Sequence, residues 1–375
     1  MSILPVIPRR VQGSELMMFR VAIVQAFFLA WAGVADAASF AALDFLPSDV
    51  SGDGQVIVGG RSVSVNEDGS RRLGRTVVDF PGYSPPTSYD ASVFDEATGL
   101  LLLAGLADVG RDAHPQEISE NGRFATGYSN ESATNIAFFW DIDARTTRGV
   151  SIPVAGSDGR IKPLDVSNAG VVVGGCCESN ENHAFVWSSE MGGALLEELP
   201  SANPASQALA ISLDSSTIVG WVGELGSGAR LPSRWSVLGE LSLLETPGWA
   251  EAAVATDVSA DGRTIIGQGL NAVGLPSPES RVVVWNEAGG AQPLDLILQL
   301  AGVDLAGWTL DTAVAVSSDG RTIVGVGTNP DGFSQGFVAV IPEPSVGMLL
   351  GLGLAGIAGL RPAQARGESG RSRVE

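Results

Sequence analysis

Lysine is almost missing from this chain: Lys162 stands alone among 375 residues, and 22 basic side chains face 42 acidic ones. Phosphate backbones are bound by clustered Lys and Arg, so a net charge of −20 argues against nucleic acid as a partner. Histidine is nearly as scarce, with only His114 and His183 to supply imidazole chemistry near neutral pH. Two cysteines, Cys176 and Cys177, are neighbours, which excludes a disulfide framework joining distant segments. No apolar run reaches the length of an ordinary membrane span, no G-x-S-x-G nucleophile elbow occurs, and no proline- or glycine-rich linker divides the chain.

What the chain has in abundance is one phrase. DVSADGRTIIG at residues 257–267 recurs as DVSGDGQVIVG at 49–59, EISENGRFATG at 117–127, DVSNAGVVVG at 165–174, AISLDSSTIVG at 210–220 and AVSSDGRTIVG at 315–325. Ser, Asp or Asn, and Gly supply the backbone conformations of a tight turn, and the flanking Val and Ile suit a pleated, buried surface. Each copy therefore reads as a β-hairpin. A third segment follows, usually ending in an aromatic: AFFW at 137–140, AFVW at 184–187, PSRW at 232–235, VVVW at 282–285, and GFVA at 336–339. In the first unit it is ASVF at 91–94, delayed by an insertion. A fourth segment closes most units, ending at Pro153, Pro200 and Pro247. Four strands in a period of roughly 45 residues define a propeller blade, which buries both faces only when neighbours stack on it. The predicted fold is all-β, a β-propeller of six four-stranded blades. The last unit lacks its fourth strand and residues 40–47, FAALDFLP, are expected to supply it, closing the ring without an open edge.

The repeated phrase, with His183, Ala184, Phe185 and Trp187 in one unit, resembles the HAF family of extracellular repeat proteins over nearly all of residues 40–342. The resemblance implies fold and location, and little about activity.

Both ends carry sorting features. Residues 1–37 read as a signal peptide: Phe19 and Arg20 begin a short basic region, 21–31 form a short apolar core, and Ala35 and Ala37 set a small-x-small site for cleavage before Ala38. Met17 or Met18 would make a tidier start. At the other end Pro342, Glu343 and Pro344 precede an apolar stretch predicted as a transmembrane helix over 346–360, then Arg361, Arg366, Arg371 and Arg373. Triplet, helix and basic end resemble the PEP-CTERM sorting signal read by exosortase enzymes in Gram-negative bacteria. That resemblance implies an exosortase-type partner, transient inner-membrane anchoring with the basic end cytoplasmic, cleavage near the triplet, and release to the cell surface or the extracellular polysaccharide matrix. Residues 38–341 are then the propeller and 342–375 the sorting segment.

Candidate sites follow from side chains that repeat and from segments that break the repeat. Asp49, Glu117, Asp165 and Asp257 precede the same strand; if it is the innermost one, they converge on the central channel and form a candidate cation site, interrupted by Ala210 and Ala315. Asp49, Ser51 and Asp53, and likewise Asp257, Ser259 and Asp261, space oxygens as calcium loops do, so Ca²⁺ is the one cofactor in view. The acid that would complete such a loop is replaced by a strand, and Asx-type capping of a hairpin turn explains the same residues. Cys176 and Cys177 read as small strand-end residues or as a vicinal disulfide; with Glu178 and His183 they do not follow zinc spacing. His183 occupies a repeat position held elsewhere by Ile136, Ser233 and Arg281, and reads as packing, while His114 is expected in a loop. Two insertions break the repeat. Residues 66–88, with Arg71, Arg72, Arg75, Tyr83 and nearby Tyr89, are a candidate surface for an acidic sugar polymer. Residues 294–310 space Leu294, Ile297, Leu298 and Leu300 as a short helix packed on the rim.

Together these features describe an exported, non-enzymatic binding or structural module that displays loops on a rigid ring. The alternatives are a polysaccharide-active hydrolase or lyase working through two carboxylates on one face, and a matrix assembly protein.

Overall fold

The computed structural model describes residues 38–341 except 61, 80–86, 104–112, 130–135, 154–159, 178–181, 229, 271–279 and 287–289, and also residues 10–11 and 19–23. Its strands form six antiparallel propeller blades of four strands each, the sheet of blade 1 also taking in the two-residue strand Arg10–Val11 against Val78 and Asp79. Blade 1 comprises Ser62–Val65, Arg71–Asp79, Thr87–Asp95 and Gly99–Leu102. Blade 2 comprises Ala113–Ile118, Phe124–Ser129, Ile136–Asp141 and Thr146–Gly149. Blade 3 runs through Ile161–Val166, Val172–Cys177, Asn182–Ser188 and Gly192–Leu195. Blade 4 has Pro204–Ile211, Thr217–Glu224, Arg230–Ser236 and Leu241–Leu243. Blade 5 has Ala252–Val258, Ile265–Leu270, Arg281–Asn286 and Gly290–Pro293.

Blade 6 combines Thr309–Val316, Thr322–Thr328 and Ser334–Val340 with a strand from the far end of the chain, Ser39–Ala42. Phe40 lies opposite Ala339 in this pairing, and its ring packs on Phe337 and on Trp308 with centroids 5.9 and 5.4 Å away. The expected closure by an N-terminal strand is present, and an otherwise open edge is paired.

The ring also holds a seventh, smaller sheet. The hairpin Pro47–Val50 and Val56–Gly60, which carries the first copy of the repeat, packs between blades 6 and 1 instead of starting blade 1. Blade 1 has its own inner hairpin, turning at Asn66 to Gly69. VNEDGSRRLG at 65–74 is in phase with VSADGRTIIG at 258–267. The stretch from residue 66, expected as an insertion, thus begins with a seventh copy of the phrase. Asn66 replaces the turn Ser and Arg72 an apolar residue, which disguised it.

Burial explains why these strands read as apolar runs rather than strict alternations. Every interface between adjacent sheets has its own cluster, such as Leu73, Val93, Ala125 and Trp140 between blades 1 and 2, or Val173, Val186, Ile218 and Trp235 between blades 3 and 4. The small sheet is packed likewise, through Ile57 against Val324 and Val338 of blade 6 and through Val56 and Val58 against Val65 of blade 1. The third-strand tryptophans also lock neighbours: Trp235 Nε1 donates to the Glu197 carbonyl at 2.8 Å, and Trp285 Nε1 to that of Glu245 at 2.7 Å.

The rim helix expected after blade 5 is α1, Leu294–Leu300, with Leu294 and Leu298 buried in the interface with blade 6. The predicted helix over 346–360 and the Pro342, Glu343, Pro344 triplet lie outside the described residues. Among the described residues no helix is long and apolar enough to cross a membrane. The expected cleavage residues Ala35 and Ala37 are also outside, while Phe19–Ile23 is paired as a strand with Val56–Gly60.

Candidate functional site: the acidic channel

One irregularity recurs in every innermost strand. The register slips between Pro47 and Asp49, Ser62 and Ser64, Pro115 and Glu117, Pro163 and Asp165, Ala208 and Ala210, Ala255 and Asp257, and Ala313 and Ala315. A bulge re-aims the residues beside it. The extra residues, Ser48, Val63, Gln116, Leu164, Leu209, Thr256 and Val314, all line a cavity of about 420 Å³ at one end of the channel. Beyond them lies a second cavity of about 200 Å³, lined by Asp49, Glu117, Glu120, Asp165 and Asp257 among others. The channel is therefore a vestibule of mixed polar and apolar lining next to an acidic chamber. The bulge residues have no shared character, so nothing in the sequence marked the vestibule.

All four predicted channel carboxylates are brought together, and their hydrogen bonds define what they do. Asp49 accepts the backbone N–H of Val50 at 2.7 Å and that of Val65, on blade 1, at 2.8 Å. Asp165 accepts Val166 N–H at 2.5 Å and Ile211 N–H of blade 4 at 2.6 Å. Asp257 does the same with Val258 and with Val316 of blade 6, both at 2.7 Å. Each aspartate is a staple between its own strand and the equivalent strand of the next sheet. The position that follows each aspartate around the ring is small, Ser64, Ala210 or Ala315, so that only Glu117 and Asp165 place carboxylates on successive blades. The two alanines that interrupt the ring are thus part of its pattern. Blade 1 staples forward with a hydroxyl, Ser64 Oγ accepting Ile118 N–H at 3.1 Å and donating to Glu117 Oε1.

The turn tips are joined along part of the ring at the chamber end. Asp53 N–H donates to the Glu67 carbonyl at 3.0 Å, Glu67 N–H to that of Glu120 at 2.8 Å, and Asn121 N–H to Asn168 Oδ1 at 2.8 Å. Ala260 N–H then donates to Ser318 and Ser318 N–H to Gly52, both at 3.0 Å, which returns to the small sheet. In the two turns with calcium-like spacing the Asx reading holds: Ser51 Oγ donates to Asp53 Oδ1 at 2.6 Å while accepting Val56 N–H at 2.9 Å, and Ser259 with Asp261 repeats the arrangement. These oxygens cap hairpins. Among the described residues no three His, Cys, Asp or Glu side chains come together to hold a metal ion. The four channel carboxylates meet as a shared acidic lining, not as one ligand set.

Burial dominates their electrostatics. It lifts Asp49 to about 7 and Asp165 to about 6, against the backbone hydrogen bonds that pull both down. Asp257 and Glu117 are raised well above their ordinary values by burial, Glu117 further by the charges of Asp49 and Asp165. Glu120, at the chamber mouth, is pushed up to about 9 by burial and then by Asp49. At neutral pH the chamber holds fewer charges than carboxyl groups.

The other sequence candidates resolve differently. Arg71 binds Asp95 and reaches across to the Gly122 carbonyl and Asp143 of blade 2; Arg72 pairs with Glu96; Arg75 Nη2 lies 2.5 Å from His114 Nδ1. These arginines fasten blade 1 internally and to blade 2, so the charges expected to meet an acidic sugar polymer already have partners within the protein; Tyr83 is outside the described residues. His114 sits on an innermost strand, stacked on Tyr128, and not in a loop. His183 is a strand residue whose Nδ1 lies 3.0 Å from Glu198, and Glu198 accepts from Ser206 Oγ on blade 4. Cys176 and Cys177 form a vicinal disulfide, both residues buried.

No family model matches the sequence, and no curated protein matches it. Solved structures match its fold. TolB from Acinetobacter baumannii is 14% identical, with 76% of this chain and 65% of that one covered and a TM-score of 0.43. This chain thus spans just under two thirds of TolB. The β-propeller domain of the Trilobed protease from Pyrococcus furiosus is 10% identical, with 82% of each chain covered and a TM-score of 0.48. Oligogalacturonate lyase from Vibrio parahaemolyticus is 11% identical, with 83% of this chain and 99% of that one covered and a TM-score of 0.37. At such identities the likeness is one of propeller fold alone, and transfers no site or activity.

Proposed function

We propose that this chain is an exported, non-enzymatic binding or structural propeller of the cell surface or extracellular matrix of a Gram-negative bacterium. The observation that carries the reading is the use of the repeated polar groups. Asp49, Asp165 and Asp257 each hold two backbone N–H groups across a blade boundary, and the turn serines and aspartates cap hairpins. Groups spent this way make a stiff ring on which loops are displayed. The leader-like residues 1–37 and the Pro342, Glu343, Pro344 segment support export through the inner membrane and processing by an exosortase-type enzyme. Extracellular polysaccharide is the proposed ligand. With Arg71, Arg72 and Arg75 committed within the ring, an acidic body favours neutral polymers over anionic ones.

Two measurements test this. Mass spectrometry of the species in medium and on cells, with and without the sorting enzyme, should find a chain from near Ala38 to near Pro342 only when the enzyme is present. Purified protein incubated with matrix polysaccharide should co-sediment with it and leave its length unchanged. Release of shortened or unsaturated sugars would overturn the binding reading in favour of a hydrolase or lyase.

A further inference from the structure

The small sheet is incomplete. In each of the six blades the second strand is covered by a third and a fourth, but after Val56–Gly60 a single residue, Arg61, leads directly into Ser62–Val65 of blade 1. The third-strand position is filled from elsewhere: Phe19–Ile23 runs antiparallel along the edge, Val21 opposite Val58 and Ile23 opposite Val56. Natural edges are blunted by charge, proline or a bulge. Residues 56–60, VIVGG, have neither charge nor proline, so uncovered they would present a bare row of pairing groups. Blades 6 and 1 flank this slot; blade 6 has four strands, and the sheet of blade 1 has four and the two-residue strand Arg10–Val11 paired with Val78 and Asp79. A folded sheet edge of another molecule would meet them first, whereas an extended segment fits between them.

The occupant also lies upstream of the expected cleavage site before Ala38. Cutting there severs its covalent link to the propeller and breaks none of its main-chain pairing. We infer that the Val56–Gly60 edge is a strand-acceptor site for an extended, mainly apolar segment, that Phe19–Ile23 is its built-in occupant, and that cleavage makes this occupant exchangeable. Exchange in the cell rests on the export reading; the slot itself does not.

The test uses the full chain with a site-specific protease sequence inserted after Ala37, cut after folding. The severed leader should co-elute with the propeller in gel filtration and be displaced by excess synthetic peptide of residues 17–25. An Ala22→Pro leader should separate on cutting: Val56 and Val58 turn their backbone groups toward Pro47–Val50, so it is Ile57 that faces the leader, opposite Ala22, and proline there removes a pairing N–H. Matching melting temperatures of the two uncut chains would show that the propeller is intact in both. A native leader that separates at once, or an Ala22→Pro leader that stays bound, would overturn the proposal. Since the cut is made in the test tube, failure of the export reading in cells would leave these outcomes unchanged.

Discussion

Asp165, on the innermost strand of blade 3, accepts the backbone N–H of Ile211 on blade 4 at 2.6 Å. The same carboxylate accepts Val166 N–H at 2.5 Å, so a single side chain joins two blades at the channel wall. Removing it leaves two backbone donors without their protein acceptor at a half-buried channel wall. Asp165→Ala should therefore destabilise the propeller by about 1–3 kcal/mol, read as a lower midpoint in chemical or thermal unfolding. Asp165→Asn, which keeps one acceptor oxygen, should lose less.

The pH dependence of stability should run opposite to that of a protein held by exposed ion pairs. The channel carboxyls bind protons more tightly folded than unfolded, Asp165 at about 6, Asp49 at about 7 and Glu120 at about 9. Their contribution is fully present below the unfolded values near 4 and is lost as pH rises through the folded ones, by at most about 1.4 kcal/mol per group per pH unit. Asp68, Asp95 and Asp214 are shifted downward, and their contribution is lost as pH falls through their folded values. The melting temperature should peak near pH 4 to 5, by about the ordinary carboxylate pKa, and decline toward pH 9. A flat profile from pH 5 to 9 would contradict the burial of the channel groups.

Ring closure depends on Phe40, whose ring packs on Phe337 and Trp308. Phe40→Asp should cost about 2 kcal/mol or more, short of the roughly 3–5 kcal/mol of a fully buried phenylalanine because this ring is only partly covered. Hydrogen exchange should show the loss first in Ser334–Val340, the strand left without its neighbour. Uniform loss of protection over all blades would show that closure is not local to this strand.

The vicinal disulfide closes almost no chain between its ends. In the chain-entropy view a cross-link stabilises through the loop it closes, so Cys176→Ser with Cys177→Ser should shift the midpoint little. Both residues are buried, and thiol labelling of the native protein should fail unless a reductant is present and the chain is unfolded.

Local chemistry made much of this protein legible from its sequence. The Ser-x-Asp-Gly turn, the flanking β-branched residues and the aromatic third strand act over a few residues, and they yielded the hairpins, the four-stranded period, the closing strand at Phe40 and the helix at Leu294. The four acidic positions were found because they repeat in phase. The seventh hairpin stayed hidden because Asn66 and Arg72 keep the backbone of the phrase while changing its letters. Tertiary structure alone decided which strand stands next in the ring, and hence that Asp49 reaches Val65 and Asp257 reaches Val316. It also spent Arg71 and Arg75 on blade 2 and left the edge at Val56–Gly60 to the strand Phe19–Ile23. Turn and strand propensities are short-range, whereas a hydrogen bond between blades, a burial-shifted carboxyl and an unpaired edge exist only once the whole ring has closed around them.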